Sequence, residues 1–313
     1  MSKVAFIFPG QGSQSVGMGS AAAGLSPAAA GLLAQANDLL GMDLRKLCLE
    51  GPEEDLKQTE NTQPALFLAS MATLLVLRER GAREPDAVAG HSLGEYTALC
   101  AAGCMDFETG LRLVRRRGEA IASAGRARPG AMAAIIGLDA AAVESVCAAA
   151  STGGEIAVPA NYNDGSQIVI SGDPAAIERA CAGAKAAGAK RALPLPVSGA
   201  FHSPLVAPAA DAMRDALAGV ALRAPAALFV NNVDAAVLAD PTAIKDSLIR
   251  QVTGSVRWAQ SVEKLVAEGV TTFVEVGSGK VLSGLVKRVA KNATCLTTES
   301  EAAIEATVAA LAG

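Results

Sequence analysis

Ser92 lies in Gly90-His91-Ser92-Leu93-Gly94, a G-x-S-x-G pentapeptide that follows the apolar run Val88-Ala89 and precedes a helical stretch starting near Glu95. Glycines at that spacing permit a sharp strand-to-helix turn that lifts a serine hydroxyl clear of a sheet. The amide of Leu93, at the helix N-terminus, then faces any oxyanion that develops. The chemistry this allows is nucleophilic attack on an activated carbonyl, and it needs a base. The chain has only two histidines. His91 leaves the strand beside Ser92 and points to the opposite face, which predicts packing beneath the turn. That leaves His202, in the loop Ser198 to Pro204, as the candidate base, against the alternative of an ordinary histidine with a satisfied hydrogen bond. No Asp or Glu near His202 in sequence stands out as a triad acid, so a remote carboxylate or a backbone carbonyl must orient the ring.

Arg117 is the second unusual residue. On a helix predicted from the N-cap Asp106 to about Ala122, steps of about 100° per residue gather Leu113, Val114, Gly118 and Ile121 on one apolar stripe. Arg117 projects into that stripe, while Arg115 and Arg116 fall well away from it and are expected to be solvated. A buried guanidinium calls for a carboxylate partner, supplied either by the protein or by a substrate. Near the N-terminus, Phe8-Pro9-Gly10-Gln11-Gly12-Ser13-Gln14 follows an apolar run, and its glycines let backbone amides approach a ligand closely, as in part of an oxyanion hole. The rival reading, a dinucleotide-binding turn, would need glycine where Ser15 stands.

The elements that must position these residues can be read from pattern. Strands over Val4 to Phe8 and up to Gly90 alternate with helices over Leu32 to Leu40 and Gln63 to Arg80, which argues for an α/β domain with a mainly parallel sheet. From about Gly130 the rhythm changes. Strands over Ala131 to Gly137, Glu155 to Ala160, Gln167 to Ser171 and Lys190 to Pro196, with helices over Ala140 to Ala150 and Pro174 to Ala187, give a β-α-β-β-α-β order of ferredoxin-like type. A helix follows from about Leu205 to Leu217, and Phe273 to Val276 is a further strand. This makes residues 128–197 an inserted small domain, and residues 1–127 and 198–313 a discontinuous large one, with a ligand cleft expected between them.

Composition narrows the function classes. With 313 residues, 51% hydrophobic and 19% charged, the chain is enzyme-sized and neither disordered nor fibrous. A net charge of -4 gives no general basic excess for nucleic acid. Six cysteines without C-x-x-C spacing argue against a zinc site and read as buried thiols of a cytoplasmic protein. The opening run before Pro9 is too short for a signal peptide, and Pro64 to Leu77 is too short to span a membrane, so it reads as a buried core helix.

Taken together, these residues resemble the malonyl-CoA:acyl carrier protein transacylases, and the resemblance runs along nearly the whole chain. It is carried by Phe8 to Gln14, Gly90 to Glu95, Arg117, Gly130-Ala131-Met132-Ala133-Ala134, Asn161-Tyr162-Asn163, Ala200-Phe201-His202-Ser203 and Val274-Glu275-Val276-Gly277 in family order. It implies a large α/β-hydrolase-like domain with a ferredoxin-like insert, and transfer of a malonyl group from malonyl-CoA to holo acyl carrier protein, in fatty acid biosynthesis, without metal, cofactor, nucleic acid or membrane.

By the same resemblance Ser92 is the nucleophile, His202 the base, and Arg117 the bidentate partner of the malonyl carboxylate. The amides of Gln11 and Leu93 form the oxyanion hole, and the main-chain carbonyl of Gln251 orients His202. Phe201 belongs to the acyl pocket, in a segment that accompanies malonyl rather than methylmalonyl selection. One departure is Ser278, where many relatives have proline. Lys190, Arg191, Lys280, Lys287 and Arg288 are candidates for receiving an acidic carrier. A serine hydrolase sharing the same elbow, and a catalytically silent carrier-binding domain, are the competing functions.

Overall fold

A computed structural model describes residues 3–197 and 199–312. Ser198, the expected start of the His202 loop and of the second part of the large domain, lies outside the described residues, as do Met1, Ser2 and Gly313. Strands β1 (Lys3–Phe8) and β2 (Ala87–Gly90) precede β3 (Ala131–Ile136), β4 (Ala157–Asp164), β5 (Gln167–Gly172) and β6 (Arg191–Pro194). These are followed by β7 (Leu228–Val230), β8 (Val237–Leu238), β9 (Val270–Glu275) and β10 (Thr294–Thr297). They form a mixed α/β fold with two separate sheets. One has six strands in the order β10-β9-β1-β2-β7-β8, and the other has four in the order β4-β5-β3-β6.

The first sheet is parallel except for its edge strand β8. Its central strands carry uninterrupted apolar runs because helices cover both faces. Val4, Phe6, Phe8 and Val88 pack on one side against the helices Thr59–Glu79 and Phe107–Ala127, while Ala5, Ile7, Ala87 and Ala89 pack on the other against Trp258, Leu265 and Val286. The period of two along β1 and β2 is thus spent on two cores. Chain order reverses at β1, with β2 on one side and β9 on the other, so the loops after β1 and β2 sit at the switch point where open α/β sheets form crevices.

The second sheet is antiparallel. The helices Ala140–Ala150 and Pro174–Ala186 bury one face around Ile135, Ile168 and Ile170. The opposite face gathers Met132, Ala134, Ala160 and Val169, with Leu195, Val197 and Phe201 packed on them. Strand β4 runs to Asp164, beyond the expected Ala160, because its edge finds a partner: Tyr162 N donates to Val256 O (2.9 Å) and Val256 N to Ala160 O (2.8 Å).

Several expected boundaries move for identifiable reasons. The helix capped by Asp106, whose carboxylate accepts from Thr109 N (2.8 Å), continues past Ala122 to Ala127, because Ala124 is still buried on the same stripe. The helix expected from Leu205 begins as a 3-10 turn over Pro204–Val206 and becomes α-helical over Ala207–Ala218. Pro64 to Leu77 lies inside the helix Thr59–Glu79, as a core helix. No helix among the described residues is long and apolar enough to cross a membrane. All six cysteines are unpaired, but Cys181 and Cys295 are only half-buried, contrary to the expectation of six buried thiols.

Candidate active site

The turn between β2 and the helix Gly94–Ala101 is built by close packing. A Cβ on Gly90 would lie 1.9 Å from the Gly94 carbonyl carbon, and one on Gly94 would lie 2.1 Å from Phe8 O. Ser92 occupies a left-handed backbone conformation (φ 54), a strained position that surrounding bonds must hold. Asn232, in the loop after β7, supplies them: its Oδ1 accepts from Ser92 N (2.8 Å) and its Nδ2 donates to Gly90 O (2.7 Å). The amides of Gln11 and Leu93 make no turn or loop hydrogen bond to described residues, and both residues line the cavity beside Ser92.

His202 also has a left-handed backbone (φ 56), and its ring is buried. Its Nε2 lies 2.8 Å from Ser92 Oγ, and its Nδ1 lies 2.9 Å from Gln251 O and 3.0 Å from Gly254 O. Two carbonyls can only accept, so Nδ1 carries the proton and Nε2 is left to accept from the serine hydroxyl. Burial, reinforced by the Arg117 charge and opposed by the two carbonyls, lowers the imidazole to about 3. The ring is therefore neutral and able to take a proton at physiological pH. Of the two ways of orienting the ring that the sequence left open, the structure has backbone carbonyls. That of Gly254 carried no signal in the sequence.

Arg117 is 2% exposed, yet no carboxylate of the described residues pairs with it. Its Nη1 donates to Gln63 Oε1 (2.8 Å), and its Nη2 donates to Gln251 Oε1 (2.9 Å) and to Ser92 Oγ (3.0 Å). The guanidinium is held by neutral acceptors, and its Nε has no partner among the described residues. Of the two suppliers the sequence left open, protein or substrate, no described carboxylate of the protein is in contact. Burial lowers Arg117 from its ordinary value, and Tyr96 and Glu95 oppose that shift. Arg115 departs from expectation too, being half-buried. Pro64 has no N–H to give Glu60 O, and Arg115 Nη1 donates to that carbonyl instead (2.9 Å).

Ser92 opens into a cavity of about 110 Å³ whose wall includes Gln11, Arg117, Met132, Phe201 and His202. A second cavity of about 380 Å³, lined by Lys57, Thr59, Arg126 and Pro196, adjoins it and shares Gln11, Ile121, Val197 and Phe201 with its wall. His91, as expected, makes no hydrogen bond to Ser92 Oγ among the described residues, and its ring packs toward the opposite core at Trp258. It stands in the cavity wall, with its Nε2 2.9 Å from Asn163 Oδ1 and its ring tilted against Trp258.

Asn232, Gln63 and Asn163 escaped the sequence reading as site residues, because single amides carry no periodic or spacing signal. Of the basic candidates, Arg288 is tied to the buried Asp164, which makes it a poor free charge. Ser278 Oγ donates to Ser13 O (2.8 Å), a bond that proline could not make.

Comparison with known proteins places this geometry. Residues 5–313 match the acyl transferase domain family. The malonyl CoA-acyl carrier protein transacylase of Escherichia coli (strain K12) is 46% identical over 306 residues, covering 98% of this chain and 99% of the relative. The crystal structure of the acyl-carrier-protein S-malonyltransferase of Burkholderia pseudomallei is 48% identical, covers 98% of this chain and 99% of that one, and superposes with a TM-score of 0.94. A malonyl-transacylase solved in complex with its type II PKS acyl-carrier protein is 42% identical, covers 99% and 100%, and gives 0.95.

Proposed function

Since this chain belongs to the malonyl-CoA:acyl carrier protein transacylases of the acyl transferase family, we propose a two-step transfer in which Ser92 carries the malonyl group between coenzyme A and holo acyl carrier protein. The observation that carries the assignment of roles is the position of Ser92 Oγ, 2.8 Å from a neutral imidazole nitrogen and 3.0 Å from a buried guanidinium. His202 Nε2 takes the hydroxyl proton as Oγ bonds to the thioester carbon, and the negative charge moves to the carbonyl oxygen. The Gln11 and Leu93 amides receive that oxyanion. Collapse breaks the C–S bond, and the imidazolium returns its proton to the departing thiolate. The carrier's phosphopantetheine thiol then reverses these steps, so atoms and charge balance without metal, cofactor or nucleotide.

Arg117 receives the malonyl carboxylate in this reading. Acylation turns Ser92 Oγ into an ester oxygen, and the carboxylate supplies the directly bonded anion that no described residue provides. The Gln251 and Gly254 carbonyls orient His202, and Phe201 bounds the acyl pocket. The larger cavity leads the thioester arm to Ser92. We read the four-stranded sheet with its two helices, residues 128–197, as a ferredoxin-like insert, and residues 1–127 and 198–313 as an α/β-hydrolase-like domain. The antiparallel order β4-β5-β3-β6 supports this reading. Unpaired cysteines fit a cytoplasmic setting.

Intact-protein mass spectrometry after incubation with malonyl-CoA, on wild type and Ser92→Ala, followed by holo acyl carrier protein, tests the proposal. A malonyl adduct on the wild type alone, discharged onto the carrier, is expected. Discharge by water alone would instead assign a hydrolase.

A further inference from the structure

The transfer chemistry leaves one buried carboxylate without a role. Glu95, three residues after Ser92, is 0% exposed. Its Oε2 accepts from Gln251 Nε2 (2.9 Å) and from Asn232 N (3.1 Å), while Oε1 has no partner among the described residues. Glu275 shows what a purely structural buried carboxylate looks like here. Both its oxygens are satisfied, by Leu282 N (3.0 Å) and Ser283 N (2.7 Å), at the start of the helix Val281–Val289.

The two groups that Glu95 holds are the two that hold the reacting pair. Asn232 fixes the Ser92 amide. Gln251 donates through Nε2 to Ser92 O (2.8 Å), accepts at Oε1 from Arg117, and accepts at its main-chain carbonyl from His202 Nδ1. We propose that Glu95 is a positioning residue for the transfer: the anion that a Ser-His-acid triad places against the imidazole is here set one residue back and acts on His202 through Gln251. This inference rests on the transfer mechanism above.

Charge gives it a reason. When His202 takes the serine proton, an imidazolium forms next to the Arg117 guanidinium, and the described groups that hydrogen-bond the ring, Ser92 Oγ and two carbonyls, carry no charge. The groups facing Glu95 are Tyr96 on its own helix, Arg117 from the helix Phe107–Ala127, Asp234 after β7 and Arg250 from the helix Pro241–Thr253. Asp234 and Arg250 bind each other in a two-point pair (2.9 and 2.6 Å) and largely cancel. That leaves Glu95 as the counter-charge to Arg117 and to the nascent imidazolium. Burial pushes its carboxyl up to about 7, so the anion is lost as pH falls through neutrality.

Glu95→Gln keeps the shape and one acceptor oxygen and deletes the charge. The experiment is rapid-quench acylation by malonyl-CoA as a function of pH, read by intact mass on wild type and variant. The wild-type rate should fall through one ionisation near pH 7. The variant should be about 10–100-fold slower at high pH, the usual cost of losing a group that orients a reacting one. Its inflection should vanish, and its KM should stay within about threefold. A structural role alone would slow the variant at every pH and keep the inflection.

Thermal stability adds a readout of opposite sign. A carboxyl raised above its unfolded value contributes stability below about 4.5 that is lost as pH rises through about 7, so Glu95→Gln should melt no lower than wild type at high pH. An unaltered rate, or a retained inflection, overturns the proposal. If the variant does not fold, the wild type decides, because absence of any ionisation near neutrality in its acylation rate also overturns it. A wild type that takes no malonyl group overturns the transferase reading and the Glu95 role together. Normal wild-type acylation with an unaltered variant profile overturns the Glu95 role alone.

Discussion

With Arg117 in the proposed role of carboxylate partner, Arg117→Ala should separate recognition of the acyl group from catalysis of its transfer. The guanidinium touches Ser92 Oγ, Gln63 and Gln251, so its loss disturbs any acyl substrate to some degree. Only a substrate bearing a carboxylate loses the charge-assisted fork as well. Two such bonds at about 1.5–3 kcal/mol each make about 3–6 kcal/mol. The malonyl-to-acetyl ratio of kcat/KM should therefore fall by about 10²–10⁴. The ratio is the quantity to measure, by single-turnover acylation with malonyl-CoA and acetyl-CoA, because disturbance of Ser92 and His202 is common to both and cancels. A second effect has a defined sign. Arg117 is the second cause, after burial, that depresses His202 to about 3, so its removal should move the His202 step, which lies below the Glu95 step near pH 7, upward in pH. Two buried amide oxygens would lose their donor, at about 1–3 kcal/mol of stability each. If malonyl and acetyl transfer fell by the same factor, Arg117 would be a structural cation and the carboxylate assignment would fail.

Asn232→Ala frees the Ser92 amide and Gly90 carbonyl together and should lower acylation at least tenfold, at a stability cost of about 2–4 kcal/mol by urea unfolding. Rates unchanged in a folded variant would refute its clamp role. Gly90→Ala places a carbon 1.9 Å from the backbone of Gly94 and should give little soluble protein, against which normal expression would count. Phe201→Ala enlarges a cavity of about 110 Å³ and should raise the methylmalonyl-to-malonyl ratio in competition assays, whereas an unchanged ratio would remove Phe201 from the acyl wall.

Much of the site was legible because its members are rare or out of place. Two histidines leave few candidates for a base, an arginine on an apolar stripe is conspicuous, and G-x-S-x-G demands its own strand-turn-helix context. The sheets were legible for a similar reason, since β1 and β2 bury both faces and must read as apolar runs. The connective amides were not. Asn232 and Gln63 act through contacts spanning 140 and 54 residues, and an asparagine or glutamine in a loop or helix looks the same whether or not it holds a serine amide or a buried guanidinium. That His91 also borders the cavity and pairs with Asn163 had no sequence signal, because the partner lies 72 residues away.

The stitching of β4 to Val256 bears on how substrates come and go. Residues 251–256 carry, within six positions, the two carbonyls that hydrogen-bond His202 and the residue bonded on both sides to β4. Ser255 Oγ adds a further bond to Pro159 O (2.7 Å). Prying the two sheets apart would therefore swing the imidazole off line, and a wide hinge at this seam would switch the enzyme off with every opening. The seam acts as a keel, so that a large carrier can arrive and leave without disturbing the alignment it came to use.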